Sequence, residues 1–161
     1  MAFRSRHVVA GLFALLCAAA LPSTGMAQAE GAPFTRWASA NCSTSPTSGC
    51  GVSFGTVPHN RIWLIKFVSC STSINNPNGK LLYWFLFANN PANTKRLGFV
   101  HLRPTLVGAT AQQATYNATE TAYLRLPPGS PLSVAVDRDP SVAAGFSSLD
   151  CTIGGDTISA S

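Results

Sequence analysis

Beyond residue 29 the chain offers two histidines, His59 and His101, alongside six acids, Glu30, Glu120, Asp137, Asp139, Asp150 and Asp156. A serine hydrolase needs an imidazole placed to take the proton of a nucleophilic hydroxyl. Serine is plentiful, but the G-x-S-x-G elbow that exposes a nucleophile on a tight turn does not occur. His59 sits in a Pro58-His59-Asn60 turn, where exposure is the ordinary outcome, and His101 lies mid-strand in Gly98-Phe99-Val100-His101, where a hydrogen-bonded, half-buried ring is. Paired-carboxylate chemistry on a glycosidic bond needs two acids across a cleft, about 5–9 Å apart. Asp137 and Asp139 are two apart in a turn with Arg138 between them, too few oxygens for calcium and too local for a cleft. No phosphate loop or dinucleotide fingerprint is present, so the chain carries no cofactor motif. The primary reading is therefore non-catalytic, and a small secreted hydrolase using His59 or His101 is an alternative.

The remaining reactive side chains are cysteines. Cys42, Cys50, Cys70 and Cys151 permit three pairings. Cys42 and Cys50 enclose a small polar segment with Pro46 and Gly49, which turns back on itself easily, so a local bridge is sterically simple. That leaves Cys70 with Cys151, joining an early strand to the last one. A metal site is disfavoured, because no C-x-x-C occurs and both histidines are remote from the cysteines in sequence.

Paired thiols require an oxidising compartment, and the N-terminus supplies the route to one. Arg4 and Arg6 precede an uncharged apolar run from Val8 to Leu21, broken by Pro22-Ser23-Thr24-Gly25 and followed by Ala27-Gln28-Ala29. This is the charge, apolar and small-x-small order of a cleaved signal peptide. The run is shorter than the roughly 20 residues of a membrane span. Cleavage is expected after Ala29, ahead of Glu30, with Ala27 as the second choice. Cys17 leaves with the leader, so five cysteines become four. Residues 1–29 are read as signal peptide, 30–50 as an N-terminal segment with the small disulfide loop, and 51–161 as the main domain, secreted or periplasmic.

Composition narrows the partners. With 46% hydrophobic and 11% charged residues the chain is too apolar for disorder. The net charge of +5 is spread over eleven scattered basic residues, which argues against a nucleic-acid partner.

Stretches that could position these groups read as strands. No segment holds helical i, i+3, i+4, i+7 spacing over three turns. Instead, runs of β-branched or aromatic residues alternate with Pro, Gly and Asn clusters. They are Gly51–Val57, Arg61–Ser71, Lys80–Ala88, Lys95–Arg103, Gln112–Ala118, Thr121–Leu126, Leu132–Val136 and Phe146–Ile153. Asn78-Gly79 predicts a hairpin between the second and third of these. Six to eight such strands predict an all-β, antiparallel β-sandwich or jelly roll, disulfide-bridged.

Two strands break simple alternation. In Arg61–Ser71, Trp63, Ile65 and Phe67 lie on one face and Ile62, Leu64, Lys66 and Val68 on the other; Lys80–Ala88 is likewise apolar on both. A sheet with one wet face should show polar residues at alternate positions. The second face is then covered by the N-terminal segment Phe34–Ser39, by a second copy of the chain, or by a ligand. Trp63, Ile65, Phe67, Tyr83 and Trp84 are thus the candidate binding or oligomer surface. An exposed row of two or more among Trp37, Trp63, Tyr83 and Trp84 would indicate a carbohydrate-binding module instead.

Val57-Pro58, the strand ending Val68-Ser69-Cys70, the LRLPPG segment Leu124–Gly129 and Cys151-Thr152-Ile153-Gly154-Gly155 resemble a loose group of short exported bacterial proteins. The resemblance spans most of the chain after the leader. It implies export, a β-sandwich and the Cys70–Cys151 pairing, and it transfers no activity. At Gly155-Asp156-Thr157 the chain departs from the apolar continuation of that pattern. The sequence thus reads as an exported binding or structural module, with homo-oligomer formation as its expected partnership and no membrane span.

Overall fold

The computed structural model describes residues 31–42, 49–138 and 145–160; the predicted leader, the expected cleavage site at Ala27, Ala29 and Glu30, and Asp139 lie outside them. Among the described residues nine strands form two antiparallel sheets. They are β1 (Ala32–Ala40), β2 (Gly49–Thr56), β3 (Arg61–Ile74), β4 (Leu81–Asn89), β5 (Arg96–His101), β6 (Thr105–Ala109), β7 (Ala114–Leu126), β8 (Pro131–Arg138) and β9 (Phe146–Ser159). One sheet runs β1-β9-β3-β7-β6 and faces the other, β2-β8-β4-β5, in the alternating order of a jelly roll.

The predicted all-β sandwich is therefore present, with one strand more than the upper estimate. Two differences are instructive. Ala32–Ala40, expected to precede the sandwich and cover a sheet face, is itself an edge strand paired to β9. The predicted hairpin at Asn78-Gly79 is absent, because both edges of β3 are taken by β7 and β9. The Asn-rich turn instead carries the chain across to the opposite sheet. It is held by Gly79 N–H donating to the Asn76 carbonyl at 3.0 Å and Asn78 N–H donating to Asn76 Oδ1 at 2.8 Å.

Between the sheets lies an apolar core. β8 shows the simplest pattern, Leu132, Val134 and Val136 pointing in, and Trp84, Leu86 and Ala88 of β4 do the same beside them. Burying side chains of this size stabilises by roughly 1.5–3 kcal/mol each. From the five-stranded sheet come Trp63, Ile65, Val68, Cys70 and Ile74, met by Leu149 and Ile153 of β9. Along β7 the inward positions are mostly small, Ala114, Ala118 and Ala122, which makes room for the large residues opposite.

β3 does not keep one parity. A register shift between Ile65 and Phe67 leaves Lys66 as an extra residue against β9. Trp63 and Ile65 point inward before it, Val68, Cys70, Thr72 and Ile74 after it, and Phe67 is turned out. A β-bulge of this kind reverses which alternate positions are buried. It explains why Arg61–Ser71 looked apolar on both faces.

Two bridges pin the sandwich. Cys70 and Cys151 are direct cross-strand partners of β3 and β9, Cα–Cα 4.1 Å, buried in the core. Cys42 and Cys50, Cα–Cα 5.7 Å, tie the end of β1 to β2 in the opposite sheet. A third tie is noncovalent. Gly129, at φ +77°, occupies the left-handed corner of the Pro127–Ser130 turn; its N–H donates to the Val57 carbonyl at 2.8 Å. Val57 N–H donates in turn to the Ser130 carbonyl at 3.0 Å. A side chain at Gly129 would be strained there, which is why glycine follows Pro127-Pro128.

Candidate functional site

On the outer face of the four-stranded sheet, aromatic side chains stand where water-facing strands normally carry polar ones. The cause is parity. With Trp84, Leu86 and Ala88 committed to the core, Tyr83, Phe85 and Phe87 must point the other way. β5 pairs with β4 so that His101 lies opposite Phe85 and Phe99 opposite Phe87. Phe85 and Phe99 stack with centroids 5.1 Å apart, Phe85 and Phe87 are 5.7 Å apart, and the His101 ring meets Phe99 edge-on at 4.5 Å. These separations fall in the favourable range for aromatic pairs.

Arg96 closes one end of this ridge. A register shift between Ala88 and Asn89 brings it to the outer face. Its guanidinium carbon sits 4.9 Å from the Phe87 centroid and 5.6 Å from that of Phe99, a cation held against two ring faces. At the diagonally opposite corner, Asp137 of β8 lies beside Tyr83 and over Gly49. Next to the ridge runs a groove of about 310 Å³, lined by Phe87 and floored by Gly51, Ser53, Ser133 and Ala135. Small side chains on β2 and β8 make that floor low. Ridge and groove thus lie side by side on one face.

The five residues singled out from the sequence do not share a surface. Trp63, Ile65 and Trp84 are in the core, which corrects their assignment to a binding or oligomer face. The reasons are the Lys66 bulge for β3 and the inward parity of the even positions for β4. Phe67, 39% exposed, lies on the outer face of the five-stranded sheet, its ring packed over Gly154. Tyr83, 57% exposed, is on the other sheet and belongs to the aromatic face. The row sought among Trp37, Trp63, Tyr83 and Trp84 does not form, since two are buried and the other two lie on opposite faces of the molecule. Phe85, Phe87, Phe99 and Arg96 were not singled out; the signal for Phe85 and Phe87 was the odd-numbered apolar positions of Lys80–Ala88, while Phe99 and Arg96 join them only through the β4–β5 register.

Around the bulge on the other sheet, a groove of about 430 Å³ opens between Leu64, Leu124 and Tyr123, flanked by Lys66 and Arg125. Lys66 is ion-paired to Asp156. His59 lies in the turn before β3 and His101 on β5. Among the described residues no hydrogen bond or ion pair links either imidazole to a carboxylate. Among the same residues no three His, Cys, Asp or Glu side chains group to hold a metal, and no helix is long and apolar enough to cross a membrane. The two disulfides are consistent with an oxidising, extracellular or periplasmic compartment.

No protein-family model matches the chain, and no curated protein matches it.

Proposed function

We propose that this chain is an exported, non-catalytic β-sandwich module that associates with a second copy of itself through the outer face of the four-stranded sheet. The observation that carries this reading is the aromatic ridge of half-buried Phe85 and Phe87 and exposed Phe99 beside a groove floored by Gly51, Ser133 and Ala135. A face that holds both a ridge and a groove is self-complementary. A two-fold axis lying in the interface seats each ridge in the partner's groove, as a closed dimer requires. Contiguous aromatic patches at the core of an interface are also where association energy concentrates. Export is supported by the leader pattern of residues 1–29 and by two disulfides that a reducing cytoplasm would not maintain.

Light scattering of the oxidised, processed chain over micromolar concentrations tests the association. Twice the monomer mass is expected, falling to the monomer mass in Phe87→Ser with unchanged circular dichroism. A wild-type chain that stays monomeric throughout that range would rule the reading out.

A further inference from the structure

One region of the outer face of the five-stranded sheet, on the far side of the molecule from the aromatic ridge, is built of hydroxyls. Reading across β1, β9, β3 and β7, Trp37, Thr152, Ser69 and Thr119 form one cross-strand row, and Ser39, Asp150, Ser71 and Asn117 form the next. A groove of about 260 Å³ lies over these two rows, with Trp37 as one wall. Trp37 is 67% exposed, whereas the other two tryptophans of the chain are buried. A large indole left in water beside two hydroxyl-rich rows gains little burial from folding, and it stands at the edge of the groove.

We propose that this groove binds a neutral saccharide, with one pyranose ring stacked against Trp37 and its hydroxyls taken by Asp150, Asn117 and Ser71. Each part of the groove matches that ligand class. The indole offers an apolar plane to the C–H face of a sugar ring while its N–H stays polar. Asp150 lies diagonally across from Trp37, two residues along β9 from the latter's direct partner Thr152. Diagonal neighbours on one sheet face stand about 7–8 Å apart, a span that suits a ring lying on the sheet. Among the described residues Asp150 has no hydrogen-bond or ion-pair partner, so its oxygens are available to accept from hydroxyl groups. Asn117 both donates and accepts, as do the Ser and Thr hydroxyls, which suits a ligand whose own hydroxyls do both. Ser69 and Thr119 are hydrogen-bonded to each other at 2.7 Å, which fixes the far wall.

Other ligand classes fit less well. An anion would face the Asp150 carboxylate with no cation lining the groove. A lipid would leave the hydroxyl rows unpartnered. A quaternary ammonium would be drawn to Trp37 and Asp150, but one indole is no aromatic cage, and the amide and hydroxyls would have no role.

Trp37 is its own reporter, because acrylamide reaches it and not the buried Trp63 and Trp84. The oxidised chain is titrated with soluble oligosaccharides of glucose, galactose, mannose, xylose and N-acetylglucosamine, and with choline as the cationic arm. At least one oligosaccharide is expected to shift Trp37 emission to the blue and to lower its acrylamide quenching at least twofold. Asp150→Ala and Asn117→Ala retain the reporter and should weaken that response tenfold or more. The proposal is overturned if no oligosaccharide changes the quenching, if choline alone does so, or if the response is undiminished in both variants. None of these outcomes bears on self-association, which uses the opposite sheet.

Discussion

Single residues hold the central strands together, and they can be ranked. Gly155 and Gly154 are adjacent on β9 but differ in what a side chain would strike. A Cβ at Gly155 runs into the backbone carbonyl of Leu64, which cannot move without breaking the β3–β9 ladder. A Cβ at Gly154 strikes only the ring of Phe67, which stands at the surface and can swing aside. Gly155→Ala should therefore cost roughly 2–3 kcal/mol, and Gly154→Ala clearly less, in paired urea unfolding curves. The bridges rank in the same way. Cys70–Cys151 spans 81 residues and Cys42–Cys50 spans 8. By chain entropy these closures are worth about 4.5 and about 2.5 kcal/mol. Replacing the first pair by alanine should lower the urea midpoint further than replacing the second; equal effects would contradict that ranking. The pairing itself was legible in the sequence, because a short segment with Pro46 and Gly49 closes on itself and leaves the other two cysteines for each other. The collision at Gly155 was not legible, since it depends on which backbone lies opposite.

At the scale of elements, β3 and β4 determine which aromatics are buried. Most strand positions were readable from apolar runs and Pro/Gly/Asn punctuation, and the inward face of β8 was readable because its alternation is unbroken, whereas β6 was missed and β7 was read as two strands. What period-2 reasoning could not supply was the point at which β3 changes parity. Lys66 gives a weak hint there, a charged residue in the middle of an apolar run, yet a charged residue in a strand is more often a simple surface position. The Asn78-Gly79 turn misleads for a related reason. Local turn chemistry favours a hairpin, but β3 is a central strand with both edges occupied, and topology overrides the turn. The bulge can be tested directly. Deleting Lys66 should send one half of β3 out of register and abolish cooperative unfolding. Lys66→Ala should shift stability by no more than about 1 kcal/mol, because its ion pair with Asp156 is at the surface. Equal tolerance of both changes would mean that the strand does not depend on the extra residue.

For the whole molecule, two disulfides and a two-layer core leave two outer faces of opposite character. One carries a ridge of rings with a cation at its end; the other carries hydroxyl rows beside Trp37, with Phe67 farther along β3. The sequence disclosed an excess of apolar strand positions but not which sheet would display them, since that follows from the inward choice of Trp84 over Tyr83. Self-association through the aromatic face also has a spatial signature that mass alone lacks. Hydrogen exchange of the oxidised chain, followed from dilute to concentrated solution, reads it strand by strand. Face-to-face pairing requires the β4 and β5 amides, Phe85–Phe87 and Arg96–His101 in particular, to gain protection as concentration rises, while β6 at the edge of the other sheet stays unchanged. Protection that is independent of concentration, or that rises in β6 and not in β5, would contradict it.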